Sequence, residues 1–158
     1  MRAGRGFTLM EMLVVIAATG ILAAVVSLPL SILESQQSLA AGVGTTVDAL
    51  RRAQTEAMSG YYGTNWGIHF SASGPCTLPS TRLWVYSSDV FDSASDTSDA
   101  IDLKNGSKLT ALGIGGGCDV RFSRFAGSTT STGTVTVSDQ NGNTKIISIN
   151  AYGRISPP

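Results

Sequence analysis

The sequence predicts an α+β fold: one long N-terminal helix, with a transmembrane first half and an amphipathic second half, packed on antiparallel β-sheet. Three observations carry this expectation. Residues Phe7 to Leu33 are mostly apolar, with few interruptions. Past them the apolar positions become one-sided and recur at helical spacing. From about Ser35 onward the chain is rich in Gly, Ser and Thr, and its later part breaks into short alternating runs bounded by turn residues, a composition suited to strands.

Composition agrees with that division. At 158 residues the chain is about one domain long. Hydrophobic residues make up 42% and charged residues only 14%, an apolar excess that the first segment accounts for. Basic and acidic side chains number 11 each, so no global basic field exists to hold nucleic acid. One histidine and two cysteines leave little material for a zinc site. A large cytosolic enzyme is excluded, and a small membrane-tethered domain is expected.

The first element is the apolar run. As a helix, Phe7 to Leu28 spans roughly 33 Å, enough for a hydrocarbon core of about 30 Å. Arg2 and Arg5 precede it and no basic residue follows until Arg51, so the start is expected in the cytoplasm and the bulk outside. No small-residue cleavage site closes the run, which argues against an ordinary secretory signal. Glu11 interrupts it five residues in, and an ionised side chain costs roughly 3 kcal/mol at mid-membrane. Near the helix start it can snorkel to the interface, so the cost alone does not establish a function.

The string Gly6-Phe7-Thr8-Leu9-Met10-Glu11, behind a short basic leader and ahead of about twenty apolar residues, resembles the type IV prepilin motif. The resemblance implies three roles. Gly6 is the last residue of a leader, 1–6, removed by a prepilin peptidase. Phe7 becomes the N-methylated first residue of the mature chain. Glu11 accepts the positive amine of a neighbouring subunit when helices stack into a filament, where a carboxylate and an ammonium in a dry bundle each need the other. Loss of Arg2 and Arg5 leaves nine basic and eleven acidic side chains, a net charge of −2. The expected organisation is a leader at 1–6, a transmembrane and assembly helix at 7–33, and a periplasmic globular domain at 34–158 that includes the amphipathic half of the helix to about residue 59.

Pro29 is expected to kink the helix or break one turn without ending it. Beyond it, Leu39, Val43, Val47, Leu50 and Ala57 form an apolar stripe, with Asp48, Arg51, Arg52 and Glu56 facing away. Gly42 and Gly44 mark either a close approach to a neighbour or a tolerated soft spot. Gly60 and Gly63 supply a stop. Strands are expected at Asn65 to Ser71, Thr81 to Ser87, Val120 to Phe125, Thr134 to Ser138 and Thr144 to Ser156. The last two flank Asn141-Gly142-Asn143 as a hairpin. Ser88 to Asp102 reads as a loop, and Gly113 to Gly117 as a flexible turn. Cys76 and Cys118, in an exported domain, read as a disulfide.

Three further segments are similar to the GspH/FimT group of minor pseudopilins: Leu50 to Ala57 at the helix end, Leu83-Trp84-Val85-Tyr86, and Ile147 to Ile155 with its closing Gly153-Arg154. The resemblance implies a pilin-like fold and a non-catalytic subunit of a type II secretion pseudopilus. The alternative is a minor pilin of a type IV pilus, active in assembly priming or DNA uptake. The partners implied are other pilins or pseudopilins, the prepilin peptidase and the inner-membrane assembly platform.

Other constellations carry less. No Gly-x-Ser-x-Gly surrounds any serine, so His69 reads as structural. Asp89, Asp92, Asp96, Asp99 and Asp102 supply oxygens of the kind Ca²⁺ takes, but without EF-hand spacing, and no metal or cofactor is expected. Arg121, Arg124 and Arg154 are the candidate nucleic-acid contacts. The DNA-binding members of the group carry Gly-Arg-x-Arg, and here Ser156 replaces the second arginine. Three or four phosphate contacts on a net-negative chain hold DNA only weakly at physiological salt.

Overall fold

The computed structural model describes residues 7–72, 76–92, 94, 98–115 and 117–158, without the side chains of 25–32 and 61. One helix, α1, runs from Leu9 to Ser59. The chain divides into two compact units, Met1–Glu34 and Ser35–Pro158.

In the first unit every described side chain from Phe7 to Ala24 is exposed. The Thr19 hydroxyl, inside the helix, donates back to the carbonyls of Val15 at 2.9 Å and Ile16 at 3.0 Å, which satisfies it within the helix's own backbone. The helix passes through Pro29 without ending. Among the described residues no helix is long and apolar enough to cross a membrane. The described apolar part from Leu9 to Ala24 is about 24 Å long, and the expected span at 7–33 continues through side chains outside the description.

In the second unit α1 turns amphipathic. Leu39, Val43, Val47, Leu50, Ala53 and Ala57 are buried, whereas Asp48, Arg51 and Arg52 are exposed. Gly42 resolves as a close approach, since a Cβ there would lie 2.6 Å from Ser107; at Gly44 it would meet nothing within 4 Å. The helix ends where Gly60 adopts a left-handed conformation (φ 70°), which costs glycine little.

Eight strands follow: β1 (Trp66–His69), β2 (Arg82–Ser87), β3 (Ser98–Asp102), β4 (Lys108–Ile114), β5 (Asp119–Phe122), β6 (Gly133–Ser138), β7 (Thr144–Ile149) and β8 (Ile155–Ser156). They form two four-stranded antiparallel sheets, ordered β3-β2-β1-β5 and β4-β6-β7-β8. Ser80 and Leu109 exchange backbone hydrogen bonds of 3.0 and 2.7 Å, tying the segment before β2 to β4 of the other sheet. The helix stripe and both sheets share one core, with Ile68, Leu83, Val85, Val120, Phe122, Val135, Val137 and Ile147 fully buried.

Several expected boundaries are corrected. The Ser88–Asp102 loop ends in a strand, because β3 pairs with β2 (Trp84 opposite Ala100) and pairing overrides the poor strand preference of Ser-Asp-Ala-Ile-Asp. Gly113 belongs to β4, opposite Thr134 of β6, and is not part of a turn. The Val120 run stops at Phe122, since Phe125 takes φ 64°. The Thr144–Ser156 run splits into β7 and β8 around a turn in which Gly153 has φ 76°. The β6–β7 hairpin forms around Asn141-Gly142-Asn143, with Gly142 at φ 84°.

Candidate assembly site

The start of α1 is built by a local capping arrangement. Thr8 precedes the helix; its hydroxyl accepts from the Glu11 amide at 3.3 Å, and its carbonyl accepts from the Glu11 and Met12 amides at 3.1 and 3.2 Å. Thr8-x-x-Glu11 is the sequence of a capping box, a signal present in the chain that its prepilin resemblance overshadows. Glu11 therefore sits in the first turn, where the helix's positive end favours a carboxylate. Its side chain is exposed, as is Phe7 at 74%. Gly6 and the rest of the expected leader lie outside the described residues. From Leu9 to Ala24 the arrangement is an exposed apolar helix with the Glu11 carboxylate in its first turn, a surface suited to helix stacking.

In the second unit the three candidate arginines lie around the segment Ser123–Thr129 and the turn before β8. Arg121 donates to the Asp89 carbonyl, and it lines a cleft of about 260 Å³ with Asn65, Ser123 and Ser128. The Arg124 guanidinium lies 4.3 Å from the centroid of the Phe125 ring. Arg154 is exposed, and its backbone amide donates to Asn150. Arg121 and Arg124 are thus engaged within the domain.

The aspartates do not converge. Asp89 accepts from Asn65, Asp92 from the Ala94 amide, Asp99 from Arg52 and Asp102 from Arg82, and Asp96 lies outside the described residues. Arg82 holds the Asp102 carboxyl below the usual carboxylate range by hydrogen bond and charge. Among the described residues no group of three His, Cys, Asp or Glu side chains is placed to hold a metal ion.

His69 is buried, and its Nδ1 lies 3.0 Å from Asp119 Oδ1. The register that sets His69 opposite Asp119 on β5 creates this pair. Tyr86 donates to the same carboxylate oxygen at 3.1 Å, and burial followed by the Asp119 charge pushes its phenol well above the usual range. Phe91, from the segment after β2, stacks on the His69 ring with centroids 4.0 Å apart, so β1 is buried on both faces. The sequence contains no local signal for this cluster, because it depends on pairing across fifty residues. Cys76 and Cys118 are bonded, with Cα atoms 5.5 Å apart.

Residues 1–27 match the family model described as the prokaryotic N-terminal methylation motif. A comparison with curated proteins finds no match. Among solved structures, the chain is similar to the type IV minor pilin FimU of Pseudomonas aeruginosa (strain PAO1) in two crystal forms. The P21 form aligns at 15% identity over 78% of this chain and 90% of that one, with a TM-score of 0.57. The P65 form aligns at 16% identity over 78% and 91%, with a TM-score of 0.50. At these identities the likeness speaks to the fold alone, and it accounts for a long helix followed by antiparallel sheets. The chain therefore carries an N-terminal methylation motif that leads into a fold like that of a type IV minor pilin.

Proposed function

We propose that this chain is a minor pilin, a structural subunit without catalytic activity in a type IV pilus-type filament. The observation that carries the reading is the union of a methylation motif at residues 1–27 with a fold like that of a type IV minor pilin across 78% of the chain. Each part has a physical role. The motif region supplies an exposed apolar helix that needs other helices or lipid to cover it. The globular unit supplies lateral surface. The expected secretion-pseudopilus role uses the same architecture, and the likeness to FimU favours the pilus over it. Membership in the GspH/FimT group rests on the helix-end, Trp84 and Gly153-Arg154 segments of the sequence.

In this reading the leader Met1–Gly6 is removed by a prepilin peptidase and Phe7 is methylated. Glu11 then pairs with the amine of the neighbouring subunit, in a chain anchored in the inner membrane with its globular domain outside. Intact-mass measurement of membrane-extracted protein tests it: the expected species lacks Met1–Gly6 and carries one added methyl. A retained leader in a host with an active prepilin peptidase overturns the assignment. Gene neighbours separate the two filament types, since pilus and secretion operons differ in their ATPase and outer-membrane partners.

A further inference from the structure

The end of α1 carries a surface that the fold does not require. Among the described residues three non-glycine residues have left-handed backbone, and two of them, Tyr62 (φ 59°) and Phe125 (φ 64°), are aromatic and lie beside the helix terminus. Bulky side chains rarely adopt that conformation, and such strain persists where the surroundings impose it. Here the imposing contact is visible: the Phe125 amide donates to the Ala57 carbonyl at 3.0 Å and caps the helix. Glycine would take that backbone conformation with less strain, as it does at Gly60, whose amide also donates to Ala57, and at Gly127 close by. The Phe125 ring lies along the helix-end glycine, where a Cβ at Gly60 would meet its Cε1 at 2.5 Å, but that contact does not cover it. Nor is it buried, since Phe125 is 65% exposed and Tyr62 62%.

Other residues extend the same surface. Gly127 abuts Met58, itself partly exposed, and Gln54 donates to the carbonyls of both Gly127 and Gly153 at 3.0 Å. That bond brings the turn holding Tyr152, at 86% the most exposed of the described aromatics, to the helix end. Arg124 lies over Phe125, and Arg154 follows Gly153 in the same turn. The acidic residue in the last turns of α1 is Glu56, which is partly buried. The end of α1 and the segments that adjoin it thus carry three exposed aromatic rings, an exposed methionine and two exposed arginines. Such residues are over-represented at protein interfaces, where rigid rings give contact area at low entropy cost.

We infer that this helix-end patch is a docking surface for a protein segment that presents apolar side chains flanked by carboxylates, on the next subunit of the filament. The inference rests on the filament reading above. Charge complementarity selects the occupant: Arg124 and Arg154 fit carboxylates, and the rings need apolar cover. Single-stranded nucleic acid also stacks on aromatic rings, but a mature charge of −2 opposes a polyanion.

The test uses the full chain in cells that assemble the filament. A photo-crosslinking p-benzoylphenylalanine is placed in place of Tyr152, whose side chain points into solvent, and separately in place of Leu13 on the exposed apolar helix. The expected result is a crosslink from position 152 to another pilin-like subunit, mapped by mass spectrometry to an Asp- or Glu-bearing apolar segment. Its yield should fall about tenfold in Arg154→Glu and further in Arg124→Glu/Arg154→Glu, with the crosslink from position 13 unchanged. That unchanged signal shows that the variants still fold and assemble. A crosslink from position 13 without one from 152, a crosslink from 152 to nucleic acid, or a yield indifferent to charge reversal overturns the docking surface and leaves the filament reading standing. No crosslink from either position overturns both.

Discussion

The two halves of α1 share one backbone conformation and differ in where their apolar side chains go. Between Leu9 and Ala24 every described side chain is exposed, although most are Leu, Val, Ile, Met or Ala. Between Leu39 and Ala57 the apolar stripe is buried against two sheets. The difference lies in sequence pattern: the first half is apolar all round, and the second places charges opposite its stripe. A helix that is apolar on every side cannot be satisfied by one small domain, so its cover must come from lipid or from other helices. The second half is already covered, and it stabilises the domain. One element thus divides into a part that holds the fold and a part left for assembly.

The largest effect that could break this comparison is a core truncation set against a helix truncation. Phe122→Ala removes a fully buried ring from the second unit and should lower its unfolding free energy by about 3–5 kcal/mol in denaturant titration. Leu13→Ala, at a side chain 59% exposed, should change it by less than about 0.5 kcal/mol. Glu11→Leu should likewise leave domain stability alone while lowering incorporation into filaments, because the neighbouring amine loses its partner. A stability loss from Leu13→Ala comparable to that from Phe122→Ala would end the division of labour.

Next in size is the covalent tie. The Cys76–Cys118 bond lies wholly within the second unit and spans 42 residues of sequence. In the chain-entropy model that closure stabilises the domain by about 4 kcal/mol. The double variant Cys76→Ser/Cys118→Ser should lower its melting temperature, and alkylation with and without reductant should report two protected thiols in the exported wild type. Two free thiols there would mean that the domain stands on its core alone.

The paired glycines on α1 sharpen the comparison at a scale of about 1 kcal/mol. Gly42→Ala sets a methyl 2.6 Å from Ser107 and 3.2 Å from Val137, in the packed face, and should destabilise by about 1–3 kcal/mol. Gly44→Ala meets open space and should stabilise the helix by about 0.8–1 kcal/mol. Thermal melts of the two variants should move in opposite directions.

Legibility in the sequence followed the range of the forces involved. The helix, its Gly60 stop, the Asn141-Gly142 hairpin and the strand around Trp84 arise from local periodicity and turn chemistry, and each is visible in a window of a dozen residues. β3 was not, because its Ser-Asp-Ala-Ile-Asp string becomes a strand only by pairing with β2. β4 was hidden because Lys108–Ile114 alternates poorly and ends among glycines; its partner Val135 lies some twenty residues on. The division into two sheets depends on long-range pairing, which no local pattern encodes. At the candidate site, Glu11 stood out because a charge in an apolar run is costly. The His69–Asp119–Tyr86 cluster and the aromatic helix end did not, because ordinary residues compose them and only the fold brings them together.

The smallest expected effect concerns the first residue of the second unit. Ser35 donates to the Asp139 carboxylate, which also accepts from the Asn143 side chain and from the backbone amides of Asn141 and Asn143. The Ser35 hydroxyl is the largest cause holding Asp139 below the usual carboxylate range, and the Asn143 and Asn141 bonds add to it against the opposing effect of desolvation. A carboxyl depressed by folding binds its proton more readily in the unfolded chain. Its contribution is therefore fully present above the unfolded value near 3.9 and is lost as pH falls through the lower folded value. Melting temperature followed from pH 6 down to pH 2 should show an acid limb that is shallower in Asp139→Asn and in Ser35→Ala. Asp102→Asn should alter that limb less, and only at low salt, because the Arg82–Asp102 pair is exposed and screened. If Ser35→Ala leaves the limb unchanged, the hairpin turn holds Asp139 without help from α1. The polar tie at the point where the helix enters the globular unit would then have no energetic content.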